Sequence, residues 1–114
     1  MIKCRMKYDH NNISPLDNRY ANKIPDIRNV FSEHTLIKTR FIIEINWILY
    51  LCSKYPKYFI KLNKTSINKI IKFRDKFDDK SVLKIKKIEK TINHDIKAIE
   101  YYIRDFFKKD KSLA

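Results

Sequence analysis

The chain contains no glycine and only three prolines. Two-residue hairpin turns depend on residues that accept positive φ, glycine above all, so a sheet-rich fold with tight hairpins is disfavoured. Glycine-built phosphate loops, of the nucleoside triphosphate or the dinucleotide kind, are excluded. So few prolines leave long helices uninterrupted. Cysteine is almost as scarce: Cys4 and Cys52 have no C-x-x-C spacing and no histidine at metal-ligand intervals. They read as free thiols in a reducing compartment, not as a disulfide or a zinc site. His10, His34 and His94 are too scattered to suggest a metal centre. No run is long enough for a membrane span. The most apolar stretch, Phe41 to Cys52, is 12 residues long, against the ~20 needed to cross a bilayer. Glu44 and Asn46 interrupt it, so it reads as a helix buried in protein, and no membrane partner is expected. Residues 1–12 carry charges without an apolar segment, which argues against a secretory signal and for a cytoplasmic location.

Acidic residues are also in short supply, 13 against 26 basic ones, for a net charge of +13. Such an excess raises the question of a nucleic-acid partner. A competing cause is visible in the composition. Lys, Ile and Asn, all encoded by A/T-rich codons, crowd the chain, glycine with its GG codons is missing, and only six of the 26 basic residues are Arg. A nucleotide bias produces this pattern with no polyanion involved. The lysines fall on every expected helix instead of gathering on one face, which argues against a nucleic-acid-binding module, the alternative reading.

With 114 residues, 44% of them hydrophobic, the chain can form one domain with a core and no more. The expected fold is all-α. Residues 1–12 read as an irregular lead-in and 13–23 as a loop, since Pro15 pushes Ser14 toward extended geometry and Asp17-Asn18 is turn chemistry. Residues 24–114 read as helical. A short helix follows Pro25, well suited to a first helical turn. Ser32 is placed to cap a long helix from about Glu33 to Tyr55, ended with the help of Pro56. Leu36, Ile37, Phe41, Ile45, Ile48, Leu51 and Cys52 recur along it at helical spacing. Ile42, Ile43 and Trp47 widen that stripe beyond what one neighbour can cover, so a partner domain or subunit is expected. A second helix is predicted from about Thr65 to Lys76, with Ile67, Ile70, Ile71 and Phe77 on one side. Asp78-Asp79-Lys80-Ser81 forms a break and cap. A third helix runs from Val82 to about Lys90 with Leu83, Ile85 and Ile88 inward, and a fourth starts near Asn93 with Ile96, Ile99, Ile103, Phe106 and Phe107.

Two short segments carry chemistry. In Ser14-Pro15-Leu16-Asp17-Asn18-Arg19-Tyr20, a guanidinium and a phenol stand at the end of a loop. The planar fork of Arg19 can hold two phosphate oxygens and Tyr20 can add a third donor. The plainer alternative is a surface Arg stacked on its neighbouring Tyr. In Ile92-Asn93-His94-Asp95, Asn93 is a good N-cap and Asp95 suits the first turn of the helix. Capping accounts for both without any function. His94 is what capping by Asn93 leaves unexplained: it stands at a helix N-terminus, among N–H groups that attract anions, and can donate to a carboxylate or phosphate.

Taken in order, these segments resemble the adenylosuccinate lyases of the fumarase/aspartase superfamily. The first is similar to that family's S-P-x-D-x-R-Y stretch and the second to its N-H-D stretch. Phe31-Ser32-Glu33, Glu44, Trp47, Lys87-Ile88-Glu89-Lys90-Thr91 and Asp95 through Tyr101 continue the likeness, which covers roughly residues 13 to 107. Asn18 departs from the family's usual Gly, and Ile92 stands where many relatives have Thr or another polar residue. Asn18 is expected to keep the loop through its tolerance of a left-handed turn. The resemblance implies the N-terminal helical domain of the fumarase/aspartase-like fold. It implies β-elimination of fumarate from adenylosuccinate, giving AMP, and from the succinyl-aminoimidazole-carboxamide ribotide, with no metal or organic cofactor. It implies substrate binding by Arg19, Tyr20, Asn93, His94 and Asp95, and a homotetramer for the full-length enzyme. It puts the family's acid histidine and serine base in later segments. No catalytic residue is therefore expected within this chain, His94 being at most accessory. The chain reads as the first domain, without the central bundle and the C-terminal domain, and inactive alone.

Overall fold

The computed structural model describes residues 11, 13–59 and 61–110. The lead-in expected over residues 1–12, apart from Asn11 itself, lies outside the described residues, as do Cys4 and His10. Among the described residues there are five α-helices and no strand: α1 (Pro25–Phe31), α2 (Glu33–Lys54), α3 (Lys64–Asp75), α4 (Asp79–Ile92) and α5 (Asp95–Lys109). The all-α expectation holds. None of these helices is long and apolar enough to cross a membrane. The backbone separates into two compact units, residues 1–35 and 36–114.

In the first unit, the segment expected as a loop is built of two 3₁₀ turns, Pro15–Asp17 and Ala21–Lys23. Ser14 is extended, as the following proline requires, and its Oγ accepts the Leu16 N–H at 3.2 Å. Pro25 opens α1 as anticipated. Ser32 ends α1 through its own N–H, bonded to the Arg28 carbonyl, and starts α2 by accepting the Thr35 N–H on Oγ at 3.2 Å. One correction falls here. Asn18 has φ −130°, outside the left-handed region. The loop as this chain builds it makes no call for glycine at that position.

The second unit places residues 36–54 of α2 with α3, α4 and α5 around one core. Ile37, Phe41 and Ile45 of α2, each one turn from the next, meet Ile70, Phe77, Ile85, Ala98, Ile99 and Ile103. Full burial of each large side chain contributes about 1.5–3 kcal/mol. Phe41 lies at the centre, stacked on Phe77 at 4.6 Å and edge-on to Phe73 at 5.1 Å. Asn63 caps α3 by accepting the Ser66 N–H at 2.8 Å. Asp78 caps α4 in a reciprocal box with Ser81, so the helix begins at Asp79, three residues before the predicted start at Val82.

One predicted inward residue is corrected. Leu83 is 68% exposed. It lies two positions from buried Ile85, about 200° around the helix. On α5, Ile96 belongs to the first turn and is exposed, a turn before the helix reaches the core at Ile99.

Candidate functional site

Arg19 and Tyr20 follow the first 3₁₀ turn. The Tyr20 N–H reaches back to the Pro15 carbonyl at 2.9 Å, and the Lys23 N–H to the Tyr20 carbonyl at 2.9 Å, so the loop's own backbone anchors Tyr20. The Arg19 guanidinium carbon lies 5.3 Å from the Tyr20 ring centre, and the Lys23 ammonium lies 5.6 Å from the same centre. This is the Arg-beside-Tyr contact named above as the plainer alternative. The guanidinium N–H groups stay available to a ligand, because no carboxylate pairs with Arg19 among the described residues. Two cations within about 6 Å of one exposed aromatic ring form a local positive centre suited to an anion.

The junction of α4 and α5 differs from the sequence reading by one residue. Asn93 is not the N-cap of the following helix. It is the C-cap of α4, in the left-handed conformation at φ 53°, ψ 34°, with its N–H on the Glu89 carbonyl at 2.7 Å. Asn is among the few non-glycine residues that occupy this region at low cost. In a chain without glycine it is a natural way to end one helix and turn into the next. The N-cap of α5 is His94. Its backbone is extended, and its Nδ1 accepts the Lys97 N–H at 3.2 Å.

That hydrogen bond has chemical content. A backbone N–H can only donate, so Nδ1 supplies a lone pair. In the neutral imidazole the proton then sits on Nε2. The capping bond therefore presents Nε2–H as a donor on an exposed side chain. His94 Nδ1 and Asp95 Oδ1 are 3.9 Å apart, and with Nδ1 unprotonated that approach is not an ion pair.

Asp95 is anchored from two sides. Arg40 of α2 donates from Nη1 to Asp95 Oδ2 at 2.6 Å, and the Ile96 N–H donates to Oδ1 at 2.8 Å. The Arg40 guanidinium first, and the Ile96 N–H second, hold the Asp95 carboxyl below the usual carboxylate range. Sequence reasoning missed Arg40 because 55 residues separate the partners. The only signal was a single arginine one position before the buried Phe41, and the partner cannot be read from that. Asn93, His94 and Asp95 thus come together at one junction in the second unit, with Arg40 added, while Arg19 and Tyr20 belong to the first. Asn93 also lines an open cleft of about 290 Å³ with Lys86, Glu89 and Lys90. The larger clefts, about 370 and 330 Å³, run along Phe73, Tyr102 and Phe106 and contain none of the five candidate residues. No group of His, Cys, Asp and Glu able to hold a metal ion occurs among the described residues.

The fold is an all-helical segment with exposed hydrogen-bond donors at a loop and at a helix junction. No protein-family model matches the chain. Among curated proteins the chain is similar to adenylosuccinate lyases. It is 37% identical over 103 residues to that of Buchnera aphidicola subsp. Schizaphis graminum, covering 90% of this chain and 23% of the relative. It is 40% identical over 92 residues to that of Buchnera aphidicola subsp. Baizongia pistaciae, covering 81% and 20%. It is 33% identical over 94 residues to that of Escherichia coli K12, covering 82% and 21%. The motif resemblance is therefore a similarity running along most of the chain, and the chain spans about a fifth of the length of these relatives.

Proposed function

We propose that this chain is the N-terminal, substrate-binding segment of an adenylosuccinate lyase. The observation that carries the reading is the similarity to proteins of that name over 81–90% of the chain. The full-length enzyme would release fumarate from adenylosuccinate and from the succinyl-aminoimidazole-carboxamide ribotide, as a cytoplasmic homotetramer. The chemistry needs a base to take a proton from the carbon beside a carboxylate, an acid for the departing nitrogen, and donors for the negative charge that develops. This segment contributes donors. Arg19 and Tyr20 take the substrate phosphate. His94 donates from Nε2 to a carboxylate or phosphate oxygen, which suits a binding role better than a proton-transfer one. Asn93 and Asp95 form the junction that presents it. The isolated chain is expected to release no fumarate.

A chimera tests the reading. The matched segment of the Escherichia coli relative is replaced by the corresponding residues of this chain, and fumarate release from adenylosuccinate is measured. Arg19→Ala in that chimera is expected to raise KM about ten- to a hundred-fold, the worth of one charge-assisted contact. An unchanged KM would remove the phosphate role of Arg19.

A further inference from the structure

We infer that Arg40 is a positioning residue that sets the tautomer of His94 by holding the Asp95 carboxylate away from it. The inference rests on the donor role of His94 proposed above. Asp95 is adjacent to His94 and ionised at neutral pH, and its Oδ1 lies 3.9 Å from His94 Nδ1. A carboxylate that close can rotate to accept a proton from Nδ1. The imidazole would then carry its hydrogen on Nδ1. The capping bond to the Lys97 N–H would be lost, and Nε2 would present a lone pair to the anion it is meant to bind.

Two contacts prevent this. Arg40 Nη1 holds Oδ2 at 2.6 Å, and the Ile96 N–H holds Oδ1 at 2.8 Å. The other charge close in sequence does not compete for the carboxylate, since the Lys97 ammonium is paired with Glu100 at 2.8 Å. With Asp95 occupied, Nδ1 is left to the Lys97 N–H at 3.2 Å and the hydrogen stays on Nε2. Arg40 thus acts on the ligand-facing nitrogen through two intermediaries, Asp95 and the first turn of α5. An outer partner that fixes the hydrogen of a functional imidazole is a recurrent device.

The test is nitrogen-15 NMR of the 114-residue chain labelled at histidine, recorded on the alkaline side where the ring signals no longer move with pH. His94 is assigned by its loss in His94→Gln. The wild-type ring is expected to show Nδ1 as acceptor and Nε2 as protonated. Arg40→Met keeps the stem and removes the donor. It is expected to move the tautomer ratio roughly tenfold toward Nδ1–H, a charge-assisted preference reduced by exposure, and to speed exchange of the Lys97 amide. Arg40→Gln, with a donor but no charge, is expected to fall between. Adding Asp95→Asn to Arg40→Met removes the competing carboxylate and is expected to restore the Nε2–H form. A mere loss of packing would not be reversed by that second change. An exposed ion pair contributes little to folding, so the helical circular dichroism is expected to persist in all variants. A wild-type ratio in Arg40→Met and Arg40→Gln, or a shift that persists in the double variant, would overturn the inference. Failure of the chimera would instead remove the substrate role of His94 and leave these ratios standing, so the two claims fail separately.

Discussion

At the scale of single residues, the junction Asn93-His94-Asp95 divides its work differently from the plain reading of its letters. Asn, His and Asp in a row look like a cap, a functional group and a first-turn acid. Asn93 instead ends one helix in the left-handed region, and His94 caps the next. Asn93→Gly is expected to leave stability within about 0.5 kcal/mol, because glycine accepts this conformation freely. Asn93→Val is expected to cost about 1–2 kcal/mol, read as a shift in urea midpoint. The acids give a second residue-scale prediction. Asp95 is held below the usual carboxylate range mainly by Arg40, and Asp78 mainly by the Ser81 backbone N–H and hydroxyl. A carboxyl lowered in the folded chain stabilises fully above its unfolded pKa of about 3.9. That contribution is lost as pH falls through the lower folded value. Helicity followed by circular dichroism is thus expected to hold down to about pH 4 and fall below it, with Asp95→Asn flattening part of the fall. A loss of helix well above that range would contradict the assignment.

At the scale of elements, the helices were largely legible because their ends are written in short-range chemistry. Ser32, Pro25 and Asp78 act within three residues of themselves, and helix starts at the first two are where the letters place them. The inward faces were legible where three or more apolar residues share a stripe, as Ile37, Phe41 and Ile45 do. They were misread at Leu83, where apolar character was taken for burial although the helical period puts it on the far side. Arg40 was not legible, because a salt bridge across 55 residues depends on tertiary packing that no local pattern encodes. The distinction has a measurable consequence. Phe41→Ala removes a fully buried ring at the core centre and is expected to cost about 3–5 kcal/mol, enough to abolish cooperative unfolding. Leu83→Ala is expected to stay within about 0.5 kcal/mol. Thermal melts of the two variants side by side check both.

At the scale of the whole molecule, α2 keeps an apolar stripe that its neighbours in the second unit leave open. Leu36, Ile43, Trp47 and Tyr50 recur along one side and are exposed, with the Trp47 and Tyr50 rings stacked at 5.7 Å. The breadth of this stripe was legible in the sequence, and its need for further cover follows from the same residues. The isolated chain is expected to associate as its concentration rises, opposed by its +13 charge. Light scattering across a concentration series should show this, and Trp47→Glu should reduce it. The basic excess itself, spread over α2 to α5, says less about function than two short polar segments do.

The account's central claim is that this segment serves as the substrate-binding first part of an adenylosuccinate lyase. Fumarate release by the Escherichia coli chimera tests it most directly. The prediction is measurable release of fumarate from adenylosuccinate, lowered about ten- to a hundred-fold in kcat/KM by His94→Ala through loss of one donor to a charged oxygen. A folded chimera that releases no fumarate, or one whose rate is indifferent to His94→Ala, would contradict it.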